Sequence, residues 1–522
     1  LRLAAVITVV LVAVVVWNTL RVRASATGVE DGGAITPEAV AEATINISIS
    51  RGSLEDATLR LDGTDVTSKA EITDGRLSWK PGPLAEGDHT LELHVPRSIL
   101  PDATVEWDFT VDGRPPTITA PPYLPPHQPD DPVDIEGTVV GAETLTVDGE
   151  PVDVASDGSF SLHFDRPPTD GIDLVAVDDA GNERHATVFV PVPYPDDVRG
   201  VHVTATAWDN ANLRQGIIDL INDGLVNTVV LTIKDEGGLV GHESNVAAAH
   251  EVGAVQGLYD LKKQVDYLHS KGVYVVGRIV CFRDPKYADA AWERGDREML
   301  IQSPDGDRYA LYGGGFLNFS HPEVQQYNID LAVEAVKAGV DDVLYDYVRR
   351  PDGLIETMKI PGLEGDPIDS VVEFMAKSHG EIRRLGAVQG ASVFGIAATR
   401  PEQIAQDILA MASNADYIAP MLYPSHWNPG EYGVADPDRQ PYDIVFRSLR
   451  DFRQQVARTG RPLVPWLQHF SLGSTYTTAE IRAQVRASRD QDSNGWLMWD
   501  PGVTYNPEGL REDSRAPRIP AT

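Results

Sequence analysis

Val340-Asp341-Asp342-Val343-Leu344-Tyr345-Asp346-Tyr347-Val348-Arg349-Arg350 reads as an apolar strand that ends in charge. Val343, Tyr345 and Tyr347 alternate with Leu344, Asp346 and Val348, so one strand face carries a carboxylate near its end. The stretches on either side, Pro322–Lys337 and Ile368–Leu385, have the apolar spacing of amphipathic helices. Outward in both directions the same strand-then-helix unit recurs. Further strands are read at Val201–Trp208, Thr228–Asp235, Val273–Phe282, Ala391–Ala398, Tyr417–Tyr423, Leu463–Phe470 and Gly495–Trp499. Helices are read at Leu258–Lys271, Pro401–Ala412, Tyr442–Arg458 and Thr478–Arg489. Eight strands, each followed by a helix, is what a (β/α)8 TIM barrel requires. A doubly wound open sheet is the alternative. It usually carries a Gly-rich phosphate turn after its first strand, whereas this first strand ends Thr206-Ala207-Trp208-Asp209.

Upstream the texture is different. Ile45–Ile49, Ala57–Leu61 and His89–Val95 alternate with period two, and Asp62-Gly63, Asp74-Gly75 and Glu86-Gly87-Asp88 supply turns. A second such unit contains Thr144–Gly149 and Gly158–Leu162, after the stiff spacer Pro121-Pro122-Tyr123-Leu124-Pro125-Pro126. Both read as β-sandwiches. Val147-Asp148-Gly149, Asp157–Phe160 and Asp178–Asn182 resemble the turn motifs of bacterial immunoglobulin-like domains, which implies spacer modules. The expected organisation is an N-terminal segment 1–30, modules at 31–114 and 115–195, a barrel at 196–510, and a disordered tail 511–522.

Residues Leu3–Leu20 form an uncharged apolar run, followed by the small-residue site Ala24-Ser25-Ala26. The run is long enough for a membrane anchor helix or an uncleaved signal, which implies an extracytoplasmic protein attached to or released from the membrane. The chain has 522 residues, with 44 Lys plus Arg against 78 Asp plus Glu, a net charge of −34. Such a surface repels phosphate backbones, so nucleic acid is excluded as a general partner. One cysteine, Cys281, excludes a disulfide framework and any Cys-based metal cluster. No His-Glu-x-x-His occurs, so neither a metal nor another cofactor is expected. A serine hydrolase finds no Gly-x-Ser-x-Gly elbow. Oligomeric state is left open.

In a barrel the chemistry lies at the carboxyl ends of the strands. Strand two ends Lys234-Asp235-Glu236, strand three contributes Arg278, and strand four ends Asp346-Tyr347-Val348-Arg349. Strand six ends Tyr423-Pro424-Ser425-His426-Trp427, strand seven Trp466-Leu467-Gln468-His469, and strand eight Trp499-Asp500. Aromatic faces stack on sugar C–H faces, and carboxylates protonate a leaving oxygen or stabilise an oxocarbenium ion. The combination points to a carbohydrate.

Residues 199–505 resemble the putative glycosyl hydrolase domain family of (β/α)8 barrels. The pieces that carry the likeness are Arg199–Thr204, Val230–Asp235, Arg278–Pro285, Tyr327–Ala332, Asp346–Arg349, Val393–Gly395, Ala419–His426 and Pro465–Gln468. The family pattern has Asp where Thr232, Ser392 and His469 stand here, so three carboxylates it implies are missing. The resemblance retains Lys234, Asp235, Asp346, Arg349 and His426.

The expected function is that of an exported glycoside hydrolase, an O-glycosyl hydrolase acting on an extracellular or cell-wall polysaccharide. Asp346 is the expected nucleophile or oxocarbenium stabiliser, and Asp235 or Glu236 the proton donor. Against this, Asp346 could be a structural acid paired to Arg278 or Arg349, and Asp235 a loop acid beside Lys234. Lys234, Arg278, Arg349, Tyr423, His426, Trp427, Trp466, Gln468, Trp499 and Asp500 are the expected substrate-binding residues. The rival reading is a catalytically silent carbohydrate-binding barrel, favoured by Thr232, Ser392 and His469.

Overall fold

The structure, a computed structural model, describes residues 22–50, 53–97, 101–127, 131–168 and 171–511. The expected anchor Leu3–Leu20 and almost all of the tail lie outside these residues. Among the described residues no helix is long and apolar enough to cross a membrane. The chain forms two compact units. One holds the residues up to Pro121 with Asp134–Leu162 and Asp173–Thr187, and the other holds Pro122–Val133, His163–Ile172 and everything from Val188.

The first unit is built of β-sheets. Two of them, of four and five strands, enclose a core that includes Ile45, Ile47, Leu77, Trp79, Leu91, Leu93, Trp107 and Phe109. The alternation seen in the sequence is the cause, since each of these residues is on the inward face of its strand. Ala24–Thr27, read as the end of a leader, is an edge strand here, with Ala24 opposite Ile49 and Ala26 opposite Ile47. The first sheet therefore begins ahead of residue 31.

The second unit holds a closed barrel of eight parallel strands. They are β1 (Val198–Val203), β2 (Thr228–Lys234), β3 (Tyr274–Val280), β4 (Asp342–Asp346), β5 (Val388–Phe394), β6 (Tyr417–Met421), β7 (Trp466–Gln468) and β8 (Gly495–Trp499). Val198 of β1 pairs with Gly495 of β8, which closes the ring. Gly495 has φ +113°, and a Cβ there would meet the Val198 carbonyl, so the closure needs glycine. Period two sorts the side chains. Val230, Val276, Leu344, Tyr417, Trp466 and Leu497 form an inner cluster, while Val229, Val275, Val343, Ile418 and Leu467 pack outward with the helix layer.

Three expectations are corrected. β1 ends at Val203, because the Thr204 side chain accepts from Ala207 N–H and caps the short helix Ala205–Asp209. The stretch Leu258–Lys271 holds the end of an added strand, Val255–Tyr259, before its helix Leu261–His269. The stretch 401–412 is broken into a single turn at Pro401–Gln403 and a helix at Ile408–Ser413. Ala405, at φ +56°, separates them, and Gln406 turns inward to bond Phe394 N–H (2.8 Å) and the Val348 carbonyl (3.2 Å).

Candidate active site

The upper end of the barrel interior is polar. Arg278 of β3, 1% exposed, crosses it. Its Nε and Nη2 donate to Asp346 Oδ2 at 2.9 and 2.5 Å, and Nη2 also reaches Glu236 Oε1 at 2.5 Å. The two carboxylate oxygens share one nitrogen, each at 2.5 Å, so they are held close together. The remaining oxygen of Asp346 accepts from Tyr347 N–H at 2.7 Å. Tyr347 has φ +50°, a strained conformation for a bulky residue, directly after the central acid.

Aromatic groups complete the floor. The Arg278 guanidinium lies 4.7 Å from the Trp499 ring centroid, and His202 of β1 stacks on that ring's plane at 3.9 Å and 21°. His202 Nε2 is 2.9 Å from Thr232 Oγ1. Burial first, then the charge of Arg278, lowers the His202 pKa well below its ordinary value, so the imidazole is neutral. Burial raises Glu236, but the opposing Arg278 charge and hydrogen bond outweigh it and hold the carboxyl at about 2. Asp235 shifts upward through burial, against the Leu239 and Gly237 N–H groups that bond its carboxylate.

The structure brings Asp346, Glu236, Arg278 and Trp499 together. Asp235 stands beside them, but its Oδ1 accepts from Gly237 and Leu239 N–H, both at 2.9 Å, and so shapes the turn after β2. Tyr423 is half-buried, and burial, then the charge of Asp346, raises its pKa well above the ordinary value. His426 is exposed on the rim, edge-on to Tyr423 and Phe470.

Four expected substrate contacts are engaged elsewhere. Strict alternation would aim Lys234 at the mouth, but a bulge between Thr232 and Lys234 turns it into the helix layer. There it is fully buried, 2.8 Å from Asp284 and over the Tyr327 ring. Gln468 is buried too, its Oε1 accepting from Ser425 N–H and Oγ–H at 3.0 and 2.8 Å. Trp427 packs against Gly395 and Tyr432. Trp466 is 1% exposed and donates to Ser392 Oγ at 2.9 Å, so it is wall rather than platform.

Arg349 sits among Tyr347, Phe394 and Phe316, with Asp352 at 3.6 Å. Asp500 meets His469 Nδ1 at 3.2 Å, and Asn506 N–H donates to His469 Nε2 at 2.8 Å. The proton of the neutral ring is therefore on Nδ1, donated to Asp500. His202 was the residue without an assigned role in the sequence. Its signal is an inward-facing His in the apolar run Val201-His202-Val203.

Residues 200–505 match the family described as putative glycosyl hydrolase domain. The chain belongs to that family. Its barrel accordingly has a glycoside hydrolase-like fold. No curated protein matches the chain. Among solved structures, a hypothetical protein from Ruminiclostridium thermocellum ATCC 27405 is 28% identical, over 37% of this chain and 96% of that one, at a TM-score of 0.33. The glycoside hydrolase domain of PgaB (BpsB) from Bordetella bronchiseptica is 15% identical, over 60% and 95%, at 0.44. Catalytic domain 2 of the Ostrinia furnacalis Group II chitinase, solved with an N-acetylchito-oligosaccharide, is 12% identical, over 59% and 90%, at 0.36.

Proposed function

We propose that this member of the family is a glycoside hydrolase acting on a polysaccharide outside the cytoplasm. The observation that carries the reading is one buried guanidinium holding two carboxylates at the barrel mouth, Asp346 and Glu236. Charged groups held out of water are costly and persist where a task requires them.

Asp346 is the nucleophile or the stabiliser of the oxocarbenium ion, aimed by Arg278. Glu236, at about 2, is ionised at working pH and cannot give a proton while it rests on Arg278. Asp235, which shifts the other way, is the better proton donor, and its turn bonds fall on Oδ1. Trp499, Tyr423 and His426 offer faces and edges to the sugar. The apolar run Leu3–Leu20 is the basis for placing the protein outside the cytoplasm and at the membrane.

The test is reducing-end release from a polysaccharide panel by the full chain and by Asp346→Asn. Asp235→Asn should lose activity on the polysaccharide and keep it on aryl glycosides, whose leaving groups need no proton. A second reading, a silent glycan-binding barrel, is favoured by Thr232 and Ser392, whose hydroxyls are spent on His202 and Trp466. It predicts binding with no release.

A further inference from the structure

β4 ends at Asp346, and the residue after it, Tyr347, stands at φ +50°. The cause is the pair of carbonyls around it. Those of Asp346 and Tyr347 both face the chain just after β3, accepting from Cys281 N–H at 2.7 Å and Phe282 N–H at 3.3 Å. Successive carbonyls of a strand point to opposite sides, so two on one side require the chain to leave β geometry between them. A trans peptide sends its N–H the opposite way from its carbonyl, and the Tyr347 N–H accordingly meets Asp346 Oδ1 at 2.7 Å. Turning this one peptide over would restore an ordinary negative φ, and would take the N–H away from Asp346.

The ring holds the turn in place. Tyr347 Oη accepts from Arg283 Nη1 at 3.3 Å, and the guanidiniums of Arg283 and Arg349 lie 5.4 and 4.8 Å from the ring centroid. Arg349 is itself buried, against Phe316, Phe394 and Asp352. Strain that its surroundings over-determine, beside a reacting group, serves to pre-organise that group. Here the effect falls on one atom. Asp346 Oδ2 accepts from Arg278 twice, through Nε and Nη2, which spends both of its lone pairs. Among the described residues Oδ1 accepts only from Tyr347 N–H, so the lone pair that is left belongs to this oxygen.

Resting on the hydrolase reading above, we propose that Tyr347 is the positioning residue of the reaction. Its strained peptide fixes Asp346 Oδ1, and Asp346 meets the positive charge developing on the sugar through the remaining lone pair of that oxygen. The ring and hydroxyl of Tyr347 serve to hold the backbone.

The test is a series of variants at this position. Their kcat and KM are measured per folded molecule, by reducing-end release on a polysaccharide that the wild-type full chain cleaves. Glycine takes a positive φ without steric cost, whereas alanine and valine do not. Tyr347→Ala and Tyr347→Val should lose about 10–100-fold in kcat, with KM within about threefold of wild type. Tyr347→Gly and Tyr347→Phe should recover most of that loss. A ring that only packs, or only touches the sugar, predicts instead that Tyr347→Gly is no better than Tyr347→Ala. That result overturns the proposal, as does a loss carried by KM. The contact itself is read without activity, from the Tyr347 amide signal in NMR of the full chain isotope-labelled at tyrosine nitrogen. Loss of the signal in Tyr347→Phe assigns it. Asp346→Asn should move it upfield, because the acceptor loses its charge. An unmoved signal overturns the proposal whatever the kinetics. If the signal moves but the wild type cleaves no polysaccharide, the hydrolase reading fails and the fixing of Oδ1 stands.

Discussion

Replacing Glu236 with Gln should cost the barrel stability at neutral pH and leave it unaffected in strong acid. The carboxyl is drawn from its ordinary 4.5 to about 2 by Arg278, against a burial effect that works the other way. A pKa held that far down corresponds to about 3 kcal/mol of stabilisation. The sign follows from the direction. A depressed carboxyl contributes in full above its unfolded value, near 4.5, and the contribution fades as pH falls toward 2. Gln mimics the protonated side chain at every pH. Urea unfolding followed by tryptophan fluorescence, at intervals from pH 7 down to pH 2, gives the comparison for wild type and variant. Carboxylates remote from Arg278 titrate alike in both proteins, so the difference between the two curves reports the cluster that Glu236 forms with Arg278, Asp346 and Asp235. It should approach about 3 kcal/mol at pH 7 and close near pH 2. A difference that stays constant with pH, or is absent throughout, refutes the picture of Arg278 as a clamp on Glu236.

Three other substitutions test separate parts of the account. Lys234→Met leaves Asp284 buried without its cation and should cost about 3–5 kcal/mol by urea unfolding. Activity per folded molecule should persist, since Lys234 faces the helix layer. Ser392→Ala removes the acceptor of the Trp466 indole N–H and should cost about 1–3 kcal/mol. Gly495→Ala forces a Cβ onto the Val198 carbonyl at φ +113° and should lower the melting temperature of the barrel sharply.

Much of the fold was readable because a barrel strand is a short apolar run with an alternating face, and its helix has a different period. The helix Pro322–Lys337 is found at the residues where the sequence places it, between a His321 cap and the Ala338 turn. Where local chemistry competed, the reading drifted. Val201–Trp208 alternates apolar residues with His202, Thr204 and Thr206, as a strand would, yet the Thr204 cap turns the last part helical. The helix expected at 401–412 has the right composition, but Gln406 is drawn inside to satisfy backbone groups at the end of β5 and in the loop after β4, and the chain breaks at Ala405.

The grouping of Asp346, Glu236 and Arg278 in the candidate site was legible, because their residue types and strand-end positions are both visible in the sequence. It was not legible at Lys234, because a single bulge decides which face that side chain occupies. Gln468 and Trp466 look like sugar contacts by type, yet their partners, Ser425 and Ser392, come from other strands and their loops. Such pairings are set by closure of the barrel and leave no trace in spacing.

The most direct test of the central claim is reducing-end release by the full chain and by Asp346→Asn across bacterial and plant polysaccharides. Release by the wild type, lost in Asp346→Asn with binding retained, is the predicted result. Equal release by both proteins, or binding of a glycan with no release by either, would contradict it.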